Sequence, residues 1–312
     1  MSCLSVVFFD SRDIPVPTCY RKTFIGNYLL SFSIPDSNMS KKILAVLSEW
    51  GYWGEELIGP LEVFDEKGYE VDFMTPKGKK PVALTPSMDA TFIDPPLDRT
   101  VVNEHYAQKT SEMEESDRLN SPINLSEWFP ERPYYSVKDY LRKLEAYNDA
   151  LDEAQASLAK YDALLIVGGS GPIVDMANNQ RLHDVILGFY KMDKPIIAEC
   201  YGVACLAFAR DWYNRKSLLW GKHATGHPLE YDYKDGTGFM GTDFNMGPPP
   251  YPLECILRDA TGPDGGYHSG VGRKVSAILD YPFITGRSTA SSRRTGELLV
   301  EVFENGLKRY GW

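Results

Sequence analysis

The sequence has no C-x-x-C pair and no cysteine and histidine spacing of the kind that holds zinc. Its five cysteines, Cys3, Cys19, Cys200, Cys205 and Cys255, are scattered along the chain. An odd, widely spaced set of this kind makes a disulfide framework improbable, and no metal or other cofactor is expected. Long hydrophobic runs are missing too. Leu4 to Phe9 and Ala163 to Val167 are typical of the apolar stretches present, far short of the roughly 20 residues needed to cross a bilayer. The opening residues lack a basic region followed by a long apolar stretch and a small-residue cleavage site, so a cytoplasmic location without a membrane partner is expected. Positive charge is scarce as well. With 33 basic against 43 acidic residues the formal charge is -10, and no Lys/Arg stripe interleaves with aromatic residues, which argues against a nucleic-acid partner.

What is present is enough apolar material for a large core: 312 residues, 43% of them hydrophobic, fit one large domain or one domain with a sizeable insertion. Residues 1–38 carry Pro15, Pro17 and Pro35 and no clear period. They read either as an N-terminal extension or as an arm packed on the domain that follows over 39–312. From Lys42 the pattern becomes regular. Ile43 to Leu47 is a short apolar run of the kind buried on both faces of a parallel sheet. Leu57, Ile58, Leu61 and Phe64 then recur at helical spacing, with Gly68 placed to end the helix. Tyr69 to Met74 reads as the next strand, completing a βαβ unit. The same grammar returns at Ala163 to Val167 and at Pro195 to Glu199. Lys274 to Leu279 and Phe283 to Thr285 supply late strands, and Thr289 to Leu307 a closing helix. The expected fold class is therefore α/β: a doubly wound, mostly parallel sheet with helices on both faces and ligands beyond the carboxyl ends of the strands. Between residues 94 and 160 a Pro-rich, acidic, Tyr-rich stretch containing a helix at Val137 to Leu158 is too long for an ordinary loop. It reads as a cap-like insertion over one edge of the site or as a structural wrap.

The residue best placed for chemistry is Cys200. It follows the apolar run Pro195-Ile196-Ile197-Ala198 and precedes Gly202 and a buried helical pattern, which is the strand, sharp turn and helix of a nucleophile elbow. A thiol there faces the crevice, and a helix N-terminus favours its thiolate, so its pKa is expected below that of a free cysteine. The alternative is a buried structural cysteine, which is the expectation for Cys205 and Cys255. Glu56, just past the first strand, lies on the same sheet edge and can exchange a proton beside a thiolate, or with Glu55 can merely complement the helix dipole. Of the histidines, His105, His183 and His268 read as surface or structural. His223 and His227 remain, in a short strand running into a loop stopped by Pro228, and His227 is the one placed to reach the sheet edge. The turn Gly168 to Gly171 has neither phosphate-loop nor dinucleotide spacing, but its backbone amides suit an oxyanion facing Cys200.

These residues resemble the ThiJ/PfpI superfamily, also called the parkinsonism-associated deglycase family, within the class I glutamine amidotransferase-like, flavodoxin-like fold. The resemblance spans roughly Lys41 to Leu307. It rests on Glu55-Glu56-Leu57 with Pro60, Gly168-Gly169-Ser170-Gly171-Pro172, Ala198-Glu199-Cys200-Tyr201-Gly202, and Ala224-Thr225-Gly226-His227-Pro228. It implies a reactive group of Glu56, Cys200 and His227, with Gly169, Ser170 and the amide of Tyr201 on the oxyanion and substrate side. Many protease-like and chaperone-like members place a histidine directly after the cysteine, where this chain has Tyr201, so a peptidase triad is in doubt and the downstream His227 is the better partner. The resemblance implies a small-molecule carbonyl or amide substrate and a homodimer. Its activities include glutathione-independent conversion of methylglyoxal to lactate (glyoxalase III), deglycation, amide or peptide hydrolysis and isonitrile hydration. A non-catalytic holdase chaperone or a redox sensor using Cys200 is the reading from another class.

Overall fold

The computed structural model describes residues 40–94, 97–231, 252–270 and 276–312. The stretch 1–38 and the first residues of the expected strand at Lys274 lie outside the described residues. In chain order the strands are β1 (Lys42–Val46), β2 (Glu70–Thr75), β3 (Ile93–Asp94), β4 (Arg99–Thr100), β5 (Ile123–Asn124), β6 (Ala163–Ile166), β7 (Ile196–Glu199), β8 (His223–Ala224), β9 (Gly266–Tyr267), β10 (Ala277–Asp280), β11 (Phe283–Gly286) and β12 (Arg309–Tyr310). The helices are α1 (Gly54–Glu66), α2 (Glu104–Glu115), α3 (Leu125–Trp128), α4 (Tyr140–Ser157), α5 (Pro172–Asp175), α6 (Gln180–Lys191), α7 (Val203–Phe208), α8 (Leu253–Thr261) and α9 (Ser292–Asn305).

Among the described residues an eight-stranded sheet runs in the order β12-β10-β11-β7-β6-β1-β2-β5. The block from β11 to β5 is parallel throughout. Only β10 runs against it, and β12, antiparallel to β10, runs with the block again. The short apolar runs that define the central strands are buried on both faces, as a parallel sheet requires. In β1, Leu44 and Val46 join the core beneath α4, α6 and α7. Ile43 and Ala45 join the opposite core, beneath α1 and α9. The period of two thus divides one sequence run between two cores. Gly68, at φ +67, takes the left-handed position just past the α1 cap, where a side chain would be strained.

The segment 94–160 does more than cover the sheet. It contributes β5, which pairs with the edge of β2, packs α2 along α1, and sets α4 against α6. Asn103 starts α2 by accepting the amide of Tyr106 at 2.9 Å, a side-chain cap that satisfies a donor the helix cannot.

Candidate functional site at the carboxyl edge of the sheet

Parallel strands deliver three loops to one edge. The loop from β1 to α1 and the loop after β6 are tied together: the Trp53 amide donates to Gly168 O at 3.2 Å, and that of Gly171 to Gly51 O at 3.1 Å. Gly169 sits at φ +98, and a Cβ there would stand 2.5 Å from the Trp53 nitrogen. A Cβ on Gly168 would collide with the Glu56 carboxyl and lie 2.8 Å from Cβ of Cys200. The glycine turn is therefore needed for closeness, since three chain segments meet with no room for side chains.

Cys200 follows β7 directly and adopts φ +50, a left-handed conformation that a non-glycine residue holds only when its surroundings impose it. A 3-10 turn at Cys200–Gly202 leads into α7. This is the strained strand-to-helix elbow expected from the sequence. The Sγ atom lies 3.3 Å from Nδ1 of His227, and the Glu56 carboxyl is hydrogen-bonded to the same side chain. His227 is stacked on Tyr201 with ring centroids 4.1 Å apart and meets Tyr231 edge-on at 5.8 Å. Its loop is anchored to the sheet through Thr225, whose amide donates to Thr285 Oγ1 on β11 at 2.9 Å. The structure thus brings Glu56, Cys200 and His227 together. Gly169 and Tyr201 present backbone amides that lower the pKa of Cys200, which places two donors beside the sulfur. Ser170 is buried in the same turn, and its carbonyl accepts the Ile173 amide at 3.3 Å. His223 belongs to another pair, with Nδ1 2.8 Å from His268 Nε2. His105 bonds Glu62, and His183 bonds the Ala177 carbonyl.

The expected low thiol pKa is not found. Burial, followed by the charge of Glu56, pushes Cys200 well above its ordinary value, and the two amides only partly offset this. The helix that follows is one of six residues, too short to outweigh the loss of water around the sulfur. Glu56 is itself raised by burial to about 8, against the opposing bonds from Cys200 and the Gly169 amide. Burial likewise raises Glu55 to about 7. Near neutral pH both sulfur and carboxyl therefore hold their protons for the most part, and the carboxyl is the first to ionise as pH rises. The reactive thiolate then forms only when a neighbouring base takes the sulfur's proton.

A further carboxyl went unread in the sequence. Glu199 is fully buried and pushed well above its ordinary pKa by burial, opposed by its bond to Thr295 and reinforced by Glu56 and Glu55. Its signal was available as an acidic residue closing the apolar run Ile196-Ile197-Ala198. Among the described residues, no group of three or more His, Cys, Asp or Glu side chains is arranged to hold a metal.

The family model described as ThiJ/PfpI family-like matches residues 47–235. Glutamine amidotransferase-like class 1 domain-containing protein 1 of Bos taurus is 28% identical over 156 residues, covering 50% of this chain and 64% of the bovine protein. The protein/nucleic acid deglycase HchA of Pseudomonas aeruginosa is 23% identical over 226 residues, covering 67% of this chain and 73% of that protein. Among solved structures, Rapid Encystment Protein 24 kDa of Francisella tularensis superposes with a TM-score of 0.56 at 18% identity, over 85% of this chain and 100% of that one.

Proposed function

The chain belongs to the ThiJ/PfpI family, and from that premise we propose that it is a cysteine-dependent enzyme acting on a small carbonyl compound, with glutathione-independent conversion of methylglyoxal to lactate as its reaction. The observation that carries this reading is the convergence on one sulfur of His227 Nδ1 at 3.3 Å and the Glu56 carboxyl, at a strained elbow. The likeness to a protein named as a deglycase supports the same substrate chemistry.

In this reading the thiol proton passes to His227 as Sγ adds to the aldehyde carbon, forming a hemithioacetal. The amides of Gly169 and Tyr201 stabilise the oxyanion during addition. Glu56 takes the hydrogen from the former aldehyde carbon as a proton and returns one to the neighbouring carbon, with an enediol between the two steps. Held near 8, this carboxyl gives and takes protons around neutral pH, as a two-way proton carrier must. The product is a lactoyl thioester on Cys200. Water then displaces the sulfur, so methylglyoxal plus water becomes lactate and a proton, with no external oxidant or reductant. The two amides beside the sulfur also support a second reading, an amide hydrolase that forms an acyl-enzyme on Cys200.

The test is to incubate the purified protein with methylglyoxal without glutathione and to measure lactate. Wild type should produce it, Cys200→Ala should not, and Glu56→Gln should lose roughly two orders of magnitude or more, the usual worth of a general acid–base group. Absence of lactate from folded wild type would overturn the glyoxalase assignment. Release of ammonia from an amide would then favour the hydrolase.

A further inference from the structure

Glu199 closes β7 and immediately precedes the strained Cys200. Its side chain lies on the α1 and α9 face of the sheet, shares that face with Ile197, and is fully buried. Three observations bear on its chemical state. The first is a count of hydrogens. Oε1 of Glu199 is hydrogen-bonded to Oγ1 of Thr295 on α9, and the same Oγ1 is 2.8 Å from the carbonyl oxygen of Ser292. A threonine hydroxyl carries one hydrogen, and a peptide carbonyl can only accept. Both contacts are hydrogen bonds at once only if that hydrogen goes to Ser292, whose carbonyl has none to give, as helix residues commonly back-bond to a carbonyl of the preceding turn. The bond between Thr295 and Glu199 then needs its hydrogen from the carboxyl.

The second observation is the far oxygen. Oε2 has no hydrogen-bond partner and is packed so closely on Gly286 of β11 that a Cβ there would overlap it. The carbonyl oxygen of a neutral acid tolerates such a place far better than a carboxylate oxygen does. The third is charge. The ionisable groups acting on Glu199 are Glu56 and Glu55 of α1, both of its own sign. The cations of α9 are engaged elsewhere: Arg293 with Glu62 and Glu66, and Arg294 with Glu297 and Glu301. Arg287, past the end of β11, gives Nη1 to the carbonyls of Ser269 and Gly270.

We propose that Glu199 is a protonated carboxylic acid and a positioning residue for Cys200: by donating to Thr295 it fastens the elbow to α9 without placing a second negative charge behind the sulfur. Its effect on catalysis rests on the function proposed above, whereas its protonation does not. A negative charge on Glu199 would raise the thiol's pKa further. An apolar residue would leave the elbow unfastened, with the Thr295 hydroxyl facing no donor.

The test is difference infrared spectroscopy of wild type against Glu199→Gln at pH 7, a readout independent of any substrate. The wild type should show the carbonyl stretch of a protonated carboxylic acid, shifted in deuterium oxide and missing from the variant. A carboxylate band lost in its place would overturn the proposal. A second arm follows the alkylation of Cys200 by iodoacetamide against pH, read by peptide mass. Glu199→Ala should slow it about tenfold. Glu199→Gln, whose carboxamide can donate to Thr295, should restore the rate with the wild-type pH midpoint. A midpoint that falls in Glu199→Gln would mean that a negative charge had been removed, and would refute the neutral acid.

Discussion

Alkaline destabilisation centred on two adjacent carboxyls is a direct consequence of where α1 begins. Glu55 and Glu56 are both buried at the first turn of that helix, and burial raises them to about 7 and about 8 from an ordinary 4.5. In the unfolded chain both are ionised above pH 6, whereas the folded chain keeps their protons. The folded state therefore binds more protons, and stability falls as pH rises until each folded pKa is passed. Each carboxyl still protonated only in the folded state removes about 1.4 kcal/mol per pH unit. Buried His183, whose pKa burial lowers from 6.5, acts in the opposite direction below that value, so the informative window opens above it. From pH 6.5 to 8.5 Glu56 should remove about 2 kcal/mol and Glu55 somewhat less than 1, together about 3 kcal/mol, and Glu199, which burial also keeps protonated, deepens the fall. Against a typical total of 5–15 kcal/mol that loss is large, on the order of 6–12 °C in Tm for a chain of this size. Urea unfolding at a series of pH values measures it. Glu56→Gln should make the fall shallower by about 2 kcal/mol across the window and Glu55→Gln by a smaller amount, with the share of Glu199 left in both. A wild-type stability that is flat or rises across the window, or a slope no shallower in Glu56→Gln than in wild type, would refute the reasoning.

Three further outcomes follow from the packing. Gly168→Ala should abolish carbonyl turnover and displace the Glu56 carboxyl, because its Cβ would occupy the space between that group and Cys200; activity within about threefold of wild type would contradict the reported closeness. His227→Ala should lower kcat by roughly 10²-fold, as expected for loss of an acid–base partner, while urea unfolding places its stability within about 1 kcal/mol of wild type. Leu164→Ala, deep in the larger core, should cost about 3 kcal/mol in urea without altering the pH dependence of turnover.

The central sheet was legible because its strands are buried on both faces. A run such as Ala163 to Ile166 has no other stable use, and in the structure it lies between β1 and β7. The position of Glu56 and Cys200 on one edge followed from the same topology. His227 was harder, since β8 is two residues long and the histidine is held by the bond from Thr225 to Thr285, a contact between residues 60 apart that no local pattern announces. The direction of the Cys200 shift was misread for a physical reason. Position after a strand and before a helix is visible in sequence, whereas the extent of desolvation depends on α1, β6 and β7 closing together. The helix α2 was not anticipated either, because only Ala107, Thr110 and Met113 of its twelve residues are buried, too few for a clear apolar stripe. Glu199 was passed over as the end of a strand when its acidity within an apolar run was the clue.

The most direct test of the account is to mix the protein with methylglyoxal, quench with acid within the first turnover, and map adducts by peptide mass. The account predicts one methylglyoxal equivalent on the peptide containing Cys200, none there after Cys200→Ala, and accumulation of the hemithioacetal in Glu56→Gln. Lactate formed with Cys200 unmodified at every time point, or formed equally by Cys200→Ala, would contradict the role of the elbow cysteine as the nucleophile.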